Sequence, residues 1–144
     1  MLKTVLSPLQ DRVYAAIRIV TGLMFSFHGM QKVFGLMWPA AWPRPPLTSQ
    51  TGIGGLIELT TGFLIAVGLF TRCAAFLASG TMAVAYWQFH VFANQKAVGV
   101  GKFIPAINEG TPAALYCFLF LYMACKGAGP WSVDSCREKS AQKS

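Results

Sequence analysis

The chain has 144 residues, of which 54% are hydrophobic and 12% charged, with a mean hydropathy of +0.48 and a formal net charge of +7. That balance is more apolar than an ordinary soluble domain, and bilayer spans of about 20 residues leave room for four in one domain of this length, 1–144. The basic residues are scattered around apolar runs with no base-reading motif beside them, which excludes nucleic acid as the partner behind the positive charge.

Apolar runs at 13–37, 53–71, 73–93 and 111–128 predict four transmembrane helices. The fold class expected is all-α, an integral membrane antiparallel four-transmembrane-helix bundle of left-handed type. After the first run, WPAAWPRPPLTSQTG holds Pro39, Pro43, Pro45 and Pro46, which exclude a continuous helix, and two tryptophans suited to the headgroup layer. Little more than Thr71 and Arg72 separates the second run from the third, so these form a tight antiparallel hairpin. NQKAVGVGKFIPAINEG follows as a polar, glycine-rich loop, and Thr111 with Pro112 reads as the cap and first turn of the fourth helix. Gly127, Gly129 and Pro130 stop that helix, leaving a polar tail over 129–144.

With four spans, both termini share a side with the Thr71–Arg72 turn. Lys3, Arg12, Arg18, Arg72, Lys126, Arg137, Lys139 and Lys143 gather there, against Lys32, Arg44, Lys96 and Lys102 opposite. The bias places the termini in the cytoplasm, with the basic residues lining the anionic inner leaflet of a bacterial inner membrane. A cleaved signal peptide is not expected, because the first apolar run is too long for a signal core. Arg18, close to the cytoplasmic end of its span, is expected to snorkel.

The first span carries FSFHGMQKVFG, with His28 and Lys32 one turn apart on one face. If that span ends near Met37, His28 lies about nine residues, roughly 14 Å, below its outer end, with Lys32 about a turn nearer the surface. Glu58 in GGLIELTTG is about five residues, roughly 8 Å, inside the second span, a depth matching Lys32. Gly54, Glu58 and Gly62 recur every four residues, so the carboxylate is expected on a small-residue face turned to protein. A lone carboxylate there must be protonated or paired. A polar cluster of His28, Lys32 and Glu58 is therefore the candidate site. The competing reading has Lys32 snorkelling and Glu58 holding two helices in register. His90, one turn after Tyr86 at the outer end of the third span, is the secondary candidate.

Other chemistries lack their residues. A bis-histidine haem needs both ligands at one depth, but His90 lies only about three residues from its helix end. Cys73, Cys117, Cys125 and Cys136 form no C-x-x-C pair, Cys117 and Cys125 are eight apart on one helix and too far to bond, and Cys73 and Cys136 are expected reduced, which argues against a dithiol redox enzyme. No zinc pattern, phosphate loop or hydrolase motif occurs, so no metal is expected and no catalytic residue is assigned. LYCFLFLYM in the fourth span reads as packing and lipid contact.

HGMQKVFG, GGLIELTTGFLIAVGLFTRCAA and GAGPWSVD, in this order, resemble the DoxX family of small four-helix membrane proteins over residues 18–134. The resemblance implies that His28, Gly29, Lys32 and Gly35 form the first-span motif, Glu58 the intramembrane glutamate, Thr71 and Arg72 the turn, and Gly129, Trp131 and Asp134 the closing motif. Before the fourth span, Asn108, Glu109 and Gly110 depart from the Gly-Gly-Glu-like run the family leads one to expect. Family members carry an oxidoreductase label: some resemble a small subunit of thiosulfate:quinone oxidoreductase, and others are linked to oxidative-stress or thiol-handling membrane complexes. The function this implies is an accessory subunit of a membrane redox complex, quinone- or thiol/thiosulfate-linked. It would bind no covalent cofactor. A carboxylate beside a histidine would hydrogen-bond a quinone carbonyl and exchange its protons, while a redox partner protein supplies the electrons. The partners expected are the bilayer, that redox protein and a second copy of the chain. The alternative is a small proton-coupled transporter or channel using Glu58.

Overall fold

The computed structural model describes residues 2–37 and 43–141, without the side chains of Leu2 and Lys3. Trp38, Pro39 and Trp42 of the interfacial loop, and Lys143 of the tail, lie outside the described residues. The fold is all-α. A short helix α1 (Leu2–Leu6) and one 3-10 turn lead into α2 (Gln10–Phe34), then α3 (Gln50–Val67), α4 (Thr71–Ala85), α5 (Thr111–Lys126) and α6 (Val133–Ala141). α4 continues without a break into a π-helical segment, Tyr86–Phe92, and a 3-10 turn, Gly99–Phe103, lies in the loop before α5.

The helix ends follow local chemistry. Gly35 (φ 73°) and Gly68 (φ 72°) take the left-handed conformation that terminates α2 and α3. Ser49 caps α3, its hydroxyl accepting from the Gly52 N–H at 3.1 Å. Two expected boundaries move. Thr71 and Arg72 open α4, and the hairpin turn is Gly68–Phe70, because the left-handed glycine ends α3 earlier than its apolar run does. Gly110, with no side chain to cap, takes the N-cap of α5, so Thr111 and Pro112 form its first turn.

α2 and α3 pack antiparallel at close range. A Cβ on Gly22 would lie 2.6 Å from the Ala66 nitrogen, one on Gly29 2.3 Å from the Leu59 nitrogen, and one on Gly62 2.5 Å from the Ser26 nitrogen. Small residues here let two backbones touch. The expected Gly54/Glu58/Gly62 face is buried at Glu58 and Gly62, but a Cβ on Gly54 would meet nothing within 4 Å. Gly55 takes its place in the seam, over the stem of Lys32. Across the other side, Phe25 of α2 packs on Phe120 and Tyr116 of α5, and Ile65, Ala75, Ala78, Met82 and Met123 fill the centre. Val20, Leu23, Phe63, Phe76, Leu115 and Phe118 are exposed, so the bundle is oily outside and partly polar within, with Thr21, Ser26, Thr61 and Ser79 buried. The stretch Thr4–Phe34 and α3 are each long and apolar enough to cross a membrane, while α5 is apolar but shorter.

Polar side chains knit the end that carries the α3–α4 turn. Arg18 does not snorkel: it is 0% exposed and donates to the Ile65 (2.6 Å) and Ala66 (2.9 Å) carbonyls in the last turn of α3, and to Trp131 (2.7 Å). Arg72 likewise donates to the Ala124 (2.9 Å) and Cys125 carbonyls that end α5. Both arginines satisfy orphan carbonyls at the negative ends of helix dipoles. The Asp134 carboxylate accepts from the Phe70 and Thr71 N–H groups, at 3.0 and 2.9 Å, and from the Thr71 hydroxyl, at 3.0 Å, capping α4 from a distance. Residues 129–141 are thus tied to the bundle through α6.

Candidate functional site

The opposite end holds a cavity of about 750 Å³ walled by α2, α3, α4 with its π-helical segment, and the start of α5. Its lining is mostly apolar, including Phe25, Ile57, Phe76, Phe89 and Tyr116, and it has space where Gly54 and Gly80 lack side chains, since a Cβ on either would meet nothing within 4 Å. His28, Lys32, Glu58 and His90 all border this one cavity.

Lys32 and Glu58 are in contact. The ammonium donates to Glu58 Oε1 at 2.6 Å, with Glu58 only 4% exposed and the lysine side chain a quarter exposed. The tight α2–α3 seam produces this pair: Gly29 brings the backbones together, and Gly55 leaves room for the lysine stem, whose Cβ would sit 2.7 Å from a Cβ added there. Two burdens of burial, desolvation of each charge and the ordering of a long side chain, are offset by that contact only in part. Glu58 Oε2 is buried with no hydrogen-bond partner among the described residues. His28 is exposed on the cavity wall and makes no hydrogen bond to Lys32 or Glu58 among the described residues.

His90 belongs to the π-helical segment, and its Nδ1 lies 3.2 Å from the Asn108 carbonyl. Asn108 is fully buried: its amide donates to the Lys102 carbonyl at 2.8 Å and to the Tyr86 hydroxyl at 3.3 Å, and its Oδ1 accepts from the Gly110 N–H at 2.8 Å. Sequence reasoning noticed Asn108 only as a departure from the family pattern. An asparagine two residues before the glycine that starts α5 is the Asx-turn signal that could have marked it. Glu109 points outward, pairing with Lys96 at 3.4 Å with both side chains well exposed.

Gln50 and Gln88 were also missed. Their amides pair, Gln88 Nε2 donating to Gln50 Oε1 at 2.7 Å, and Gln50 borders the cavity. A lone amide inside the apolar run YWQFHVF was the available signal. Tyr116, read as packing, does pack on Phe25 and Phe120 and also faces the cavity.

Residues 13–91 match the DoxX family. An uncharacterized protein of Haemophilus influenzae is 38% identical over 130 residues, covering 84% of this chain and 87% of the relative. An uncharacterized membrane protein of Mycobacterium tuberculosis is 26% identical over 132 residues, covering 87% of this chain and 81% of its own length. No solved structure matches the chain. The family match takes in α2, α3, α4 and the seam that holds Lys32 against Glu58, and with the apolar exterior it makes this chain a membrane protein of the DoxX family.

Proposed function

We propose that the protein crosses the bacterial inner membrane four times with both termini cytoplasmic, and that its outer cavity binds a quinone ring as an accessory subunit of a membrane redox complex. The observation that carries this reading is the combination, in one cavity of about 750 Å³, of an apolar and aromatic wall with a Lys32–Glu58 pair whose carboxylate is buried, His28 and His90. Ring-binding sites in membranes need this pairing of apolar bulk with a few fixed polar groups. A bound quinone would supply a two-electron, two-proton couple, and a partner protein would supply the electrons. On the chain's side, the Lys32 ammonium offers N–H donors to a ring oxygen, while Glu58 fixes its position. The topology rests on charge: Arg18, Arg72, Lys126 and Arg137 lie at the α3–α4 turn end, and Lys32, Lys96 and Lys102 towards the other.

The test is purification in native lipid, with extraction of bound quinone and mass-spectrometric identification of partners. Quinone should accompany the wild-type protein and be lost from Gly80→Phe, which fills the cavity where a side chain meets no neighbour. Equal quinone in both would sink the site.

Proton-coupled transport through Glu58 is the competing reading. A transport carboxylate must lose and regain a proton in each cycle, and the 2.6 Å contact with Lys32 opposes that. Proteoliposome flux under a pH gradient, abolished by Glu58→Gln, would favour transport instead.

A further inference from the structure

We infer that His90 is a second hydrogen-bonding pole of the cavity, and that it makes the site prefer the dihydroxy, reduced form of a quinone-type ring over the oxidised dione. This rests on the ring-binding reading above and adds a direction of selectivity to it.

The starting point is the Asn108 carbonyl, 3.2 Å from His90 Nδ1. A carbonyl oxygen has no proton to give, so Nδ1 carries the N–H. In the neutral imidazole, Nε2 is then a bare acceptor, the ring nitrogen left for a ligand. The arrangement is held from several sides. Tyr86 stacks on the imidazole with ring centroids 6.4 Å apart and planes 27° apart, and its hydroxyl donates to the Phe103 carbonyl at 3.0 Å. The Asn108 carbonyl is pinned by the bonds of its own buried side chain and by the Asn94 amide at 2.8 Å. The π-helical turn that carries His90 is itself a departure from regular helix of the kind that gathers at binding sites.

The two poles differ in chemistry. One of the three ammonium N–H groups of Lys32 goes to Glu58, and the others have no partner among the described residues. That end accepts either a carbonyl or a hydroxyl oxygen. At His90, only an O–H group is satisfied, because a carbonyl would set one lone pair against another. A hydroquinone offers His90 an O–H and Lys32 an oxygen, whereas a dione leaves His90 Nε2 unpaired, and a polar group left unpaired in an apolar site is costly.

The experiment measures binding to the full chain in nanodiscs by calorimetry at neutral pH under nitrogen. Three probes share one alkylated ring: the hydroquinone, the benzoquinone and the hydroquinone dimethyl ether, which has the same oxygens without the O–H groups. The wild-type protein should bind the hydroquinone about tenfold more tightly than the other two, the loss expected for one unmade hydrogen bond. His90→Phe should weaken hydroquinone binding by about tenfold and leave the benzoquinone within about threefold; a merely structural histidine would weaken both alike. The ether comparison needs no variant, so it decides the matter even where His90→Phe fails to fold. Equal wild-type affinity for all three probes would overturn the role of His90 and leave the ring site standing. Binding of none of them would overturn both.

Discussion

The two ends of the molecule use their charged side chains in opposite ways. At the α3–α4 turn, Arg18, Arg72 and Asp134 bond mainly to backbone, closing the ends of α3, α5 and α4, and of their buried atoms only Arg18 Nε has no partner among the described residues. At the cavity, Lys32 and Glu58 bond to each other, Glu58 Oε2 has no partner among the described residues, and His28 bonds to neither. A polar group spent on backbone holds a fold together. One left with unused donors or acceptors beside an apolar space has something to offer a ligand.

The contrast breaks first at Arg18. Arg18→Met should cost about 3–5 kcal/mol of stability in detergent, because it strips donors from buried carbonyls at two segments far apart in sequence. A loss under about 1 kcal/mol would mean that water replaces the guanidinium and that this end is not the anchor. Next come the glycines. Gly29→Ala forces a methyl into the α2–α3 seam and should cost about 2–3 kcal/mol. Gly80→Ala, facing open space, should be neutral or stabilising by up to about 1 kcal/mol. Equal effects at the two glycines would erase the distinction between seam and cavity.

At the cavity pair, Lys32→Met and Glu58→Gln should each destabilise, and the double variant should lose less than their sum, with a coupling of about 1–2 kcal/mol by thermal or chemical unfolding. Adding His28→Ala to the cycle measures whether His28 joins their network. Simple additivity would return Lys32 to the headgroups.

The smallest effect is at Asp134. Burial alone would raise the pKa of its carboxyl, but hydrogen bonds from the Thr71 and Phe70 N–H groups and the Thr71 hydroxyl, with the nearby Arg137 charge, hold it below the ordinary carboxylate range. A carboxyl depressed in the fold stabilises above its unfolded pKa of about 3.9 and loses that contribution as pH falls through the folded value. Asp134→Ala should cost about 1 kcal/mol at pH 7, a loss typical of a helix cap. The gap from wild type should shrink steadily below about pH 4. A gap that does not depend on pH would assign the loss to packing.

The site was more legible in the sequence than the anchor. Counting residues from span ends put Lys32 and Glu58 at one depth, and they meet at 2.6 Å. That match did not depend on correct boundaries: α2 ends at Phe34 and α3 begins at Gln50, so counted from the observed ends Lys32 lies two residues in and Glu58 eight, and it is the close α2–α3 seam that brings them together. Rotation is less forgiving. Steps of four each drift by about 40° on a 3.6-residue turn, so Gly54 lies about 80° from Gly62 around the helix, whereas Gly55, seven residues away, lies within about 20°. The seam therefore uses Gly55. Arg18 was misread because its acceptors come from residues 65–66 and 130–131, a juxtaposition that only the folded turn and tail create. The π-helical segment has no local signature in YWQFHVF, and without it the geometry of His90 could not be drawn.

The most direct test of the central claim is photolabelling with an azido-quinone in native membranes, followed by peptide mapping. Label should fall on peptides that wall the cavity, around residues 50–58 and 76–90, and be displaced by unlabelled quinone and abolished by Gly80→Phe. Label confined to the α3–α4 turn end, or undiminished in Gly80→Phe, would contradict the assignment of this cavity as the ligand site.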